Sequence, residues 1–133
     1  MKRALLAAFL ALGAAAASAQ APCPPADEVT PQQLLGTWQA QMQDEWDTAT
    51  VTLEPHPDYV ESFRGTVDRA GRRAQLVGDL DEEGFTLEES ADGTHIAANW
   101  LGEVIEGSCG REIRGTWTRD GETAGHAFVL RKQ

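Results

Sequence analysis

Apolar and polar residues alternate with a period of two along most of the chain after Leu35. Such alternation is typical of strands that bury one face and expose the other, whereas an amphipathic helix repeats every 3.6 residues. Eight segments follow this pattern, at the regular spacing that is typical of sandwiches and barrels. The predicted strands cover residues 37–42, 49–54, 63–68, 73–78, 85–88, 95–104, 112–117 and 126–131.

The connections between these segments are short and rich in turn-forming residues, for example Asp92-Gly93 and Asp120-Gly121. Asp-Gly pairs favour tight hairpin turns. Short connections join antiparallel neighbours, because parallel strands need a long crossover. The chain therefore predicts an all-β, antiparallel, up-and-down arrangement.

Glycine recurs in the pattern apolar-x-Gly-x-apolar, always on the apolar face of a strand. Glycine inside a strand usually marks a bend or a close approach of two backbones. Bends in the same phase allow a small sheet to coil and close. We therefore predict an eight-stranded barrel over residues 34–133, in which a neighbouring tryptophan or a ligand fills the space beside each glycine. The five glycines are Gly36, Gly65, Gly78, Gly102 and Gly115.

The segment Gly36-Thr37-Trp38 resembles the G-x-W opening of calycin-type barrels, the group of lipocalins, fatty-acid-binding proteins and avidins. Gly115-Thr116-Trp117 is similar to a second copy. The chain lacks the second lipocalin signature of the Thr-Asp-Tyr type, and the biotin-contacting residues of the avidin group have no matching positions. The resemblance therefore implies architecture, with a cup-like interior as a binding site.

The first 19 residues have the features of an export signal. Lys2 and Arg3 precede the apolar stretch 4–17, and Ala17-Ser18-Ala19 fits a cleavage site. A membrane anchor is the alternative, but a span needs about 20 strongly apolar residues. Lipidation at Cys23 is another, although the preceding residues do not resemble a lipobox. We expect cleavage after Ala19 and a periplasmic or secreted protein.

Export would place the two cysteines, Cys23 and Cys109, in an oxidising compartment. We predict that they pair, since such a bond between residues 86 apart would contribute about 4 kcal/mol on the chain-entropy estimate. It would pin a Pro-rich leader, residues 20–33, onto the barrel. Two free thiols or a metal-binding pair are the alternatives. Within the leader, Thr30 and Pro31 fit the start of one helical turn.

The chain is acidic, with 11 Lys and Arg against 21 Asp and Glu and a formal net charge of −10. Removal of residues 1–19 would take away Lys2 and Arg3 and change this charge to −12. Such a charge is usually a solubility device. It argues against binding to nucleic acid and against adsorption to anionic membranes, and we expect no membrane insertion. A basic protein as partner is the alternative role of the charge.

Residues with the spacing of a catalytic or metal site are scarce, so we expect no enzyme activity, cofactor or metal. No serine of the expected mature chain lies in a G-x-S-x-G turn, and neither common phosphate-binding glycine loop is present. The acidic segment 79–84 resembles the start of a calcium loop, but Ser90 stands where that loop needs Glu. An acidic hairpin tip is the preferred interpretation, with calcium binding as the alternative. The histidines, which fall in separate segments, are His56, His95 and His126.

Two loops stand out on the predicted surface. Trp46 lies within the acidic sequence 44–47, where it would form a lid over the barrel, anchor a partner, or pack onto the barrel end. Arg69, Arg72 and Arg73 form a basic hairpin. We interpret this hairpin as a solvated turn, with binding of an anion or an acidic partner as the alternative.

These features lead to one preferred function and two alternatives. The preferred hypothesis is a non-enzymatic, exported binding protein that holds a small apolar ligand in the barrel interior. One alternative is a protein-interaction module, such as an inhibitor of an exported hydrolase. The other is an envelope protein with a filled barrel and no small-molecule site. The expected ligand-binding residues are Trp38, Trp46, Phe63, Trp100 and Trp117.

Overall fold

The computed structural model describes Ala11, Gly13, residues 23–45 and residues 48–133. The predicted cleavage site after Ala19 and the predicted site residue Trp46 lie outside the described residues. The described chain contains eight strands. They are β1 (Gly36–Met42), β2 (Ala49–Pro55), β3 (Ser62–Arg69), β4 (Arg72–Asp81), β5 (Gly84–Ser90), β6 (Ala98–Val104), β7 (Glu112–Arg119) and β8 (His126–Lys132).

The strands form a closed barrel in sequence order. Each strand pairs antiparallel with the next, and β8 pairs antiparallel with β1 to close the sheet. The predicted eight-stranded, antiparallel, up-and-down barrel is confirmed. Closure pairs the edges that an open sheet would leave exposed.

The sixth strand begins later than the alternation predicts. Residues 91–97 form a loop, and β6 begins at Ala98 rather than at His95. The Asp92 carboxylate accepts hydrogen bonds from the backbone N–H groups of Thr94 and His95. These bonds hold the backbone in a turn, which leaves Ile96 exposed even though it is in phase with the buried face of the strand.

One face of every strand contributes to a single hydrophobic core inside the barrel. The alternation produces this core, because successive side chains of a strand point to opposite faces of the sheet. The largest fully buried side chains are those of Trp38, Phe63, Phe85, Trp100, Phe128, Leu34, Leu53, Leu76, Leu87, Ile113, Leu130 and Val51.

The leader closes the end of the barrel at which β2, β4, β6 and β8 finish, which we call the leader end. A disulfide joins Cys23 to Cys109, as predicted. Leu34 is fully buried in the core, and its carbonyl oxygen accepts a hydrogen bond from Trp38 Nε1 at 2.8 Å. The Lys132 ammonium group donates to the Gln33 carbonyl oxygen at 2.6 Å. The leader is therefore tied to the barrel covalently and by packing.

Two short 3-10 turns lie in the leader, at Ala26–Glu28 and Pro31–Leu34. The second confirms the helical turn predicted after Thr30. The backbone N–H of Thr30 donates to the Gln33 side-chain oxygen at 2.8 Å, which fixes the start of this turn. Within the described residues, no helix is long and apolar enough to cross a membrane.

Candidate functional site

The predicted ligand-binding residues divide between the two ends of the barrel. Trp38 and Phe63 lie in the half near the leader end, whereas Trp100 and Trp117 face each other across β6 and β7 near the other end. Trp38, Phe63 and Trp100 have no exposed surface. Trp117 is partly buried. The described side chains thus form parts of the packed core rather than the wall of one open cup.

The five in-phase glycines have close neighbours rather than open space beside them. A Cβ atom at Gly65, Gly78 or Gly115 would lie 1.9 Å from a backbone carbonyl oxygen of the adjacent strand. A Cβ at Gly102 would lie 3.0 Å from Phe128 Cζ, and one at Gly36 would lie 3.4 Å from Lys132 Cε. Neighbouring strands therefore approach closely at four of these glycines, which lets the sheet coil and close. At Gly36 the neighbour is a lysine side chain at ordinary contact distance, and the positive φ of 126° favours glycine there.

A polar network closes the end at which β1, β3, β5 and β7 finish, which we call the Glu89 end. Among the described residues, Glu89 is the buried charged residue, with 5% of its surface exposed. Its carboxylate forms a two-pronged ion pair with Arg69, and one prong joins Arg69 Nη2 to Glu89 Oε2 at 3.0 Å. The same oxygen accepts indole N–H bonds from Trp100 at 2.9 Å and from Trp117 at 3.1 Å.

The surroundings of Glu89 favour its charged form. Burial alone would raise the pKa of this carboxyl, because a buried charge loses its hydration. The Arg69 guanidinium and the indole N–H groups of Trp117 and Trp100 outweigh that effect and hold the pKa below its usual value. All of these donors act on a single carboxylate, so Glu89 joins three strands and the end of β3 into one rigid cluster.

Aromatic rings and cations stack around Trp117 at the same end. Two guanidinium groups lie over its ring, that of Arg69 at 5.6 Å and that of Arg119 at 5.5 Å from the ring centre. The His126 ring lies 5.9 Å away. Beside this stack is an open cleft of about 280 Å³, whose lining includes Trp117, His126 and residues 42–45. Trp117 is the large aromatic residue in the lining of this cleft.

The sequence interpretation missed the two residues that build this network. The sequence pattern predicts a solvated hairpin for Arg69, Arg72 and Arg73. The Arg69 side chain instead turns inward and pairs with Glu89, and the other two remain exposed. A signal was present, because Glu89 is two residues beyond Leu87 and therefore in phase with the buried face of β5. An acid on an apolar face requires a buried partner. Arg69 is 20 residues away in sequence, so the pattern alone did not identify it.

The residues considered as metal ligands or catalytic groups either lie far apart or form hydrogen bonds with the backbone of a turn. No group of three or more potential metal ligands occurs in the described part of the chain. The acidic segment 79–84 is the predicted hairpin tip, in which β4 ends and β5 begins with Asp81 paired to Gly84. There Asp81 Oδ1 accepts the backbone N–H of Glu83 at 2.8 Å, as expected of a turn.

Ser90, Asp92 and His95 lie together, but not in the order of a catalytic triad. Ser90 Oγ bonds to Asp92 Oδ1 at 3.0 Å, and His95 Nδ1 lies 2.8 Å from Asp92 Oδ2. A nucleophilic serine must instead bond to the histidine. The N–H groups of His95 and Thr94 and the hydroxyl of Ser90 hold the pKa of Asp92 well below its usual range. The cluster therefore stabilises the loop before β6.

Two exposed apolar side chains lie next to each other on the loop between β2 and β3. Tyr59 is 66% exposed and Val60 is 85% exposed. Behind this loop, on the outer face of the barrel, lies an open cleft of about 540 Å³ whose lining includes His56, Asp58 and Val77. This loop belongs to the leader end, opposite the Glu89 network.

The sequence matches no protein-family model, and no curated protein matches it at a significant level. The function is therefore inferred from the geometry of this chain alone.

Proposed function

We propose that this protein is an exported, non-enzymatic interaction module that binds a partner protein through its surface. The observation that carries the proposal is the filled barrel. Large side chains without exposed surface occupy the interior, the glycines have close neighbours, and Leu34 and the Glu89 network close the two ends. An eight-stranded barrel either fills its own interior or holds one small ligand. The packing favours the first of these arrangements.

The disulfide and the charge support this proposal. A bond between Cys23 and Cys109 suits an oxidising compartment, which agrees with the export signal expected at residues 1–19. A rigid scaffold with one covalent tie loses little conformational freedom on binding. The acidic surface would attract a basic partner and speed their association. In one specific version of this proposal, the protein inhibits an exported basic hydrolase.

Native and denaturing mass spectrometry of the protein purified from its own cells tests the proposal. The denatured mass reports whether the chain begins at Gln20 and whether two hydrogens are lost at the disulfide. In the native spectrum we expect a complex with one partner protein and no small-molecule adduct. Inhibition of a captured hydrolase by the purified barrel would identify the inhibitor form.

Two results would overturn the proposal. The first is a small excess mass that disappears on denaturation, because it would reveal a carried ligand. The second is a free protein that stays monomeric when it is titrated against the basic proteins of the same compartment. Neither result depends on knowing the partner in advance.

Binding of a small apolar ligand remains a second candidate, and the Trp117 ring in the cleft at the Glu89 end is the observation that favours it. Most of the other lining residues are polar or charged, and the volume of about 280 Å³ is slightly below that of typical ligand sites. Titration with a fluorescent apolar probe would test this candidate. We would expect probe binding to be lost on Trp117→Ala and retained on Leu101→Ala, since Leu101 is exposed on the outer face of β6.

A further inference from the structure

The loop between β2 and β3 presents the most exposed pair of adjacent apolar residues in the described structure. Tyr59 and Val60 are 66% and 85% exposed. Soluble proteins expose single apolar residues routinely, but a contiguous apolar projection usually marks an interaction site. Tyrosine is also enriched among the residues that dominate the energetics of protein interfaces.

Several bonds fix the shape of this loop. The backbone N–H of His56 donates to the Ser62 carbonyl oxygen at 3.0 Å. The backbone N–H of Ser62 donates to the Tyr59 carbonyl oxygen at 3.2 Å. The N–H of Asp58 donates to His56 Nδ1 at 3.1 Å, and the His56 ring packs 4.9 Å from the Tyr59 ring. A loop that is ordered before binding loses little entropy when it binds. The apolar tip is thus both exposed and preorganised.

Charge indicates the kind of partner. Asp58 and Glu61 flank the apolar pair directly, and the sequence His56–Glu61 contains neither Lys nor Arg. Within the described residues neither Asp58 nor Glu61 forms an ion pair. Their charges are therefore available to a partner. An apolar projection between two free carboxylates complements an apolar pocket whose rim carries Lys or Arg.

We infer that Tyr59 and Val60 form the anchor by which this protein docks into a basic-rimmed apolar pocket of its partner protein. The inference rests on the proposed function and makes it specific, because it assigns the contact to the leader end rather than to the Glu89 end. The cleft behind the loop lies next to the anchor, and its lining includes Val77 and the ion pair between Glu54 and Arg64.

Photo-cross-linking locates the contact. The probe is benzoylphenylalanine, introduced into the full chain at Val60 in one strain and at Leu101 in a control strain. Both positions are exposed, but Leu101 lies on the outer face of β6. We expect a protein adduct from position 60 and none from position 101. The cross-linked peptide of the partner should contain apolar residues together with Lys or Arg.

Affinity measurements test the roles of the side chains. They use the partner protein that cross-linking identifies, purified on its own. Tyr59→Ser combined with Val60→Ser should weaken binding by at least about tenfold, as expected for loss of central anchors, whereas Leu101→Ser should leave it unchanged. Asp58→Asn with Glu61→Gln should weaken binding at low salt and flatten its salt dependence. The matched control removes two carboxylates from the neighbouring hairpin tip, by Glu82→Gln and Glu83→Gln.

The outcomes separate this inference from the proposed function. An adduct with a second copy of this chain or with lipid would overturn the inference. So would a partner whose affinity is unaffected by the Tyr59 and Val60 changes, although the proposed function would then stand. If the unmodified protein forms no protein complex at all, both are overturned.

Discussion

Replacement of Glu89 by Gln removes one charge and keeps the size of a side chain that is 7% exposed. The amide oxygen of Gln can still accept an indole N–H, but the Arg69 guanidinium loses its buried counter-charge. Removing one partner from a buried ion pair costs about 3–5 kcal/mol. Arg69 retains some solvent contact, with 24% of its side chain exposed. We therefore expect Glu89→Gln to lower the free energy of unfolding by about 3 kcal/mol, at the lower end of that range.

Urea denaturation at neutral pH measures this loss, and Glu88→Gln is the matched control. Glu88 is the neighbouring residue on β5 and faces solvent, so the same chemical change there should alter the free energy of unfolding by less than about 0.5 kcal/mol. Equal stabilities of the two variants would refute the reasoning, because they would show that the network contributes no more than an exposed carboxylate does.

The pH dependence gives an independent test. The folded-state pKa of Glu89 lies below its ordinary value of 4.5. The stabilisation from this group is therefore fully present above the unfolded pKa and is lost as the pH falls through the folded pKa. The stability difference between the natural protein and Glu89→Gln should shrink as the pH falls below about 4.5. A difference that stays constant down to pH 2 would contradict the assignment of the charged form.

Two further predictions concern the closure of the barrel and the leader. Gly115→Ala should destabilise the protein by more than about 2 kcal/mol, because the new Cβ would lie 1.9 Å from the Leu101 carbonyl oxygen. Thermal unfolding measures this loss, with Thr116→Ala at an exposed position as the control. Equal unfolding midpoints of the two variants would contradict the prediction. Replacing both Cys23 and Cys109 by Ser should cost about 4 kcal/mol in urea denaturation, since the bond links residues 86 apart, and an unchanged midpoint would show that the leader is held by packing alone.

The barrel could be predicted from the sequence because alternation is a local signal. Each strand buries one face, so a period of two appears within every segment and needs no knowledge of its partner. The turn after Thr30 is a local signal of the same kind, whereas the cysteine pairing follows from the presence of two cysteines and the expected oxidising compartment. The structure confirms both. The start of β6 was placed too early because Ile96 continues the alternation into a loop that Asp92 holds in a turn.

The Glu89 network could not be predicted in the same way, because it depends on register. Arg69 ends β3 and Glu89 is near the end of β5, and the intervening β4 separates them in the sheet. Their side chains meet only because the closed barrel brings both inward at one end. In the sequence, Arg69 stands two residues before Gly71 and close to two other arginines, which is typical of a solvated hairpin. Pairwise contacts across a closed sheet are a property of the fold rather than of any one segment.

The ion pair between Arg69 and Glu89 need not stabilise the barrel more than apolar side chains would. Replacing such a pair by apolar residues of similar volume is often neutral or stabilising, by about 1–4 kcal/mol. We therefore expect the double replacement Arg69→Met with Glu89→Met to be more stable than Glu89→Met alone. Both variants leave the indole N–H groups of Trp100 and Trp117 without their acceptor, but only the single variant also leaves the Arg69 charge without its partner. Its cost in urea denaturation should be smaller than the sum of the two single replacements.

What the double replacement should lose is the fixed position of Trp117. In the natural protein the indole N–H of Trp117 donates to Glu89 at 3.1 Å, and the Arg69 guanidinium lies over its ring at 5.6 Å. Without these contacts the ring can take other rotamers, so near-ultraviolet circular dichroism should weaken while the double variant stays folded. A double variant with an unchanged near-ultraviolet spectrum would show that apolar packing alone positions Trp117. A double variant as unstable as Glu89→Met would show instead that the lost acceptor of the two indole N–H groups, rather than the unpaired Arg69 charge, sets the cost.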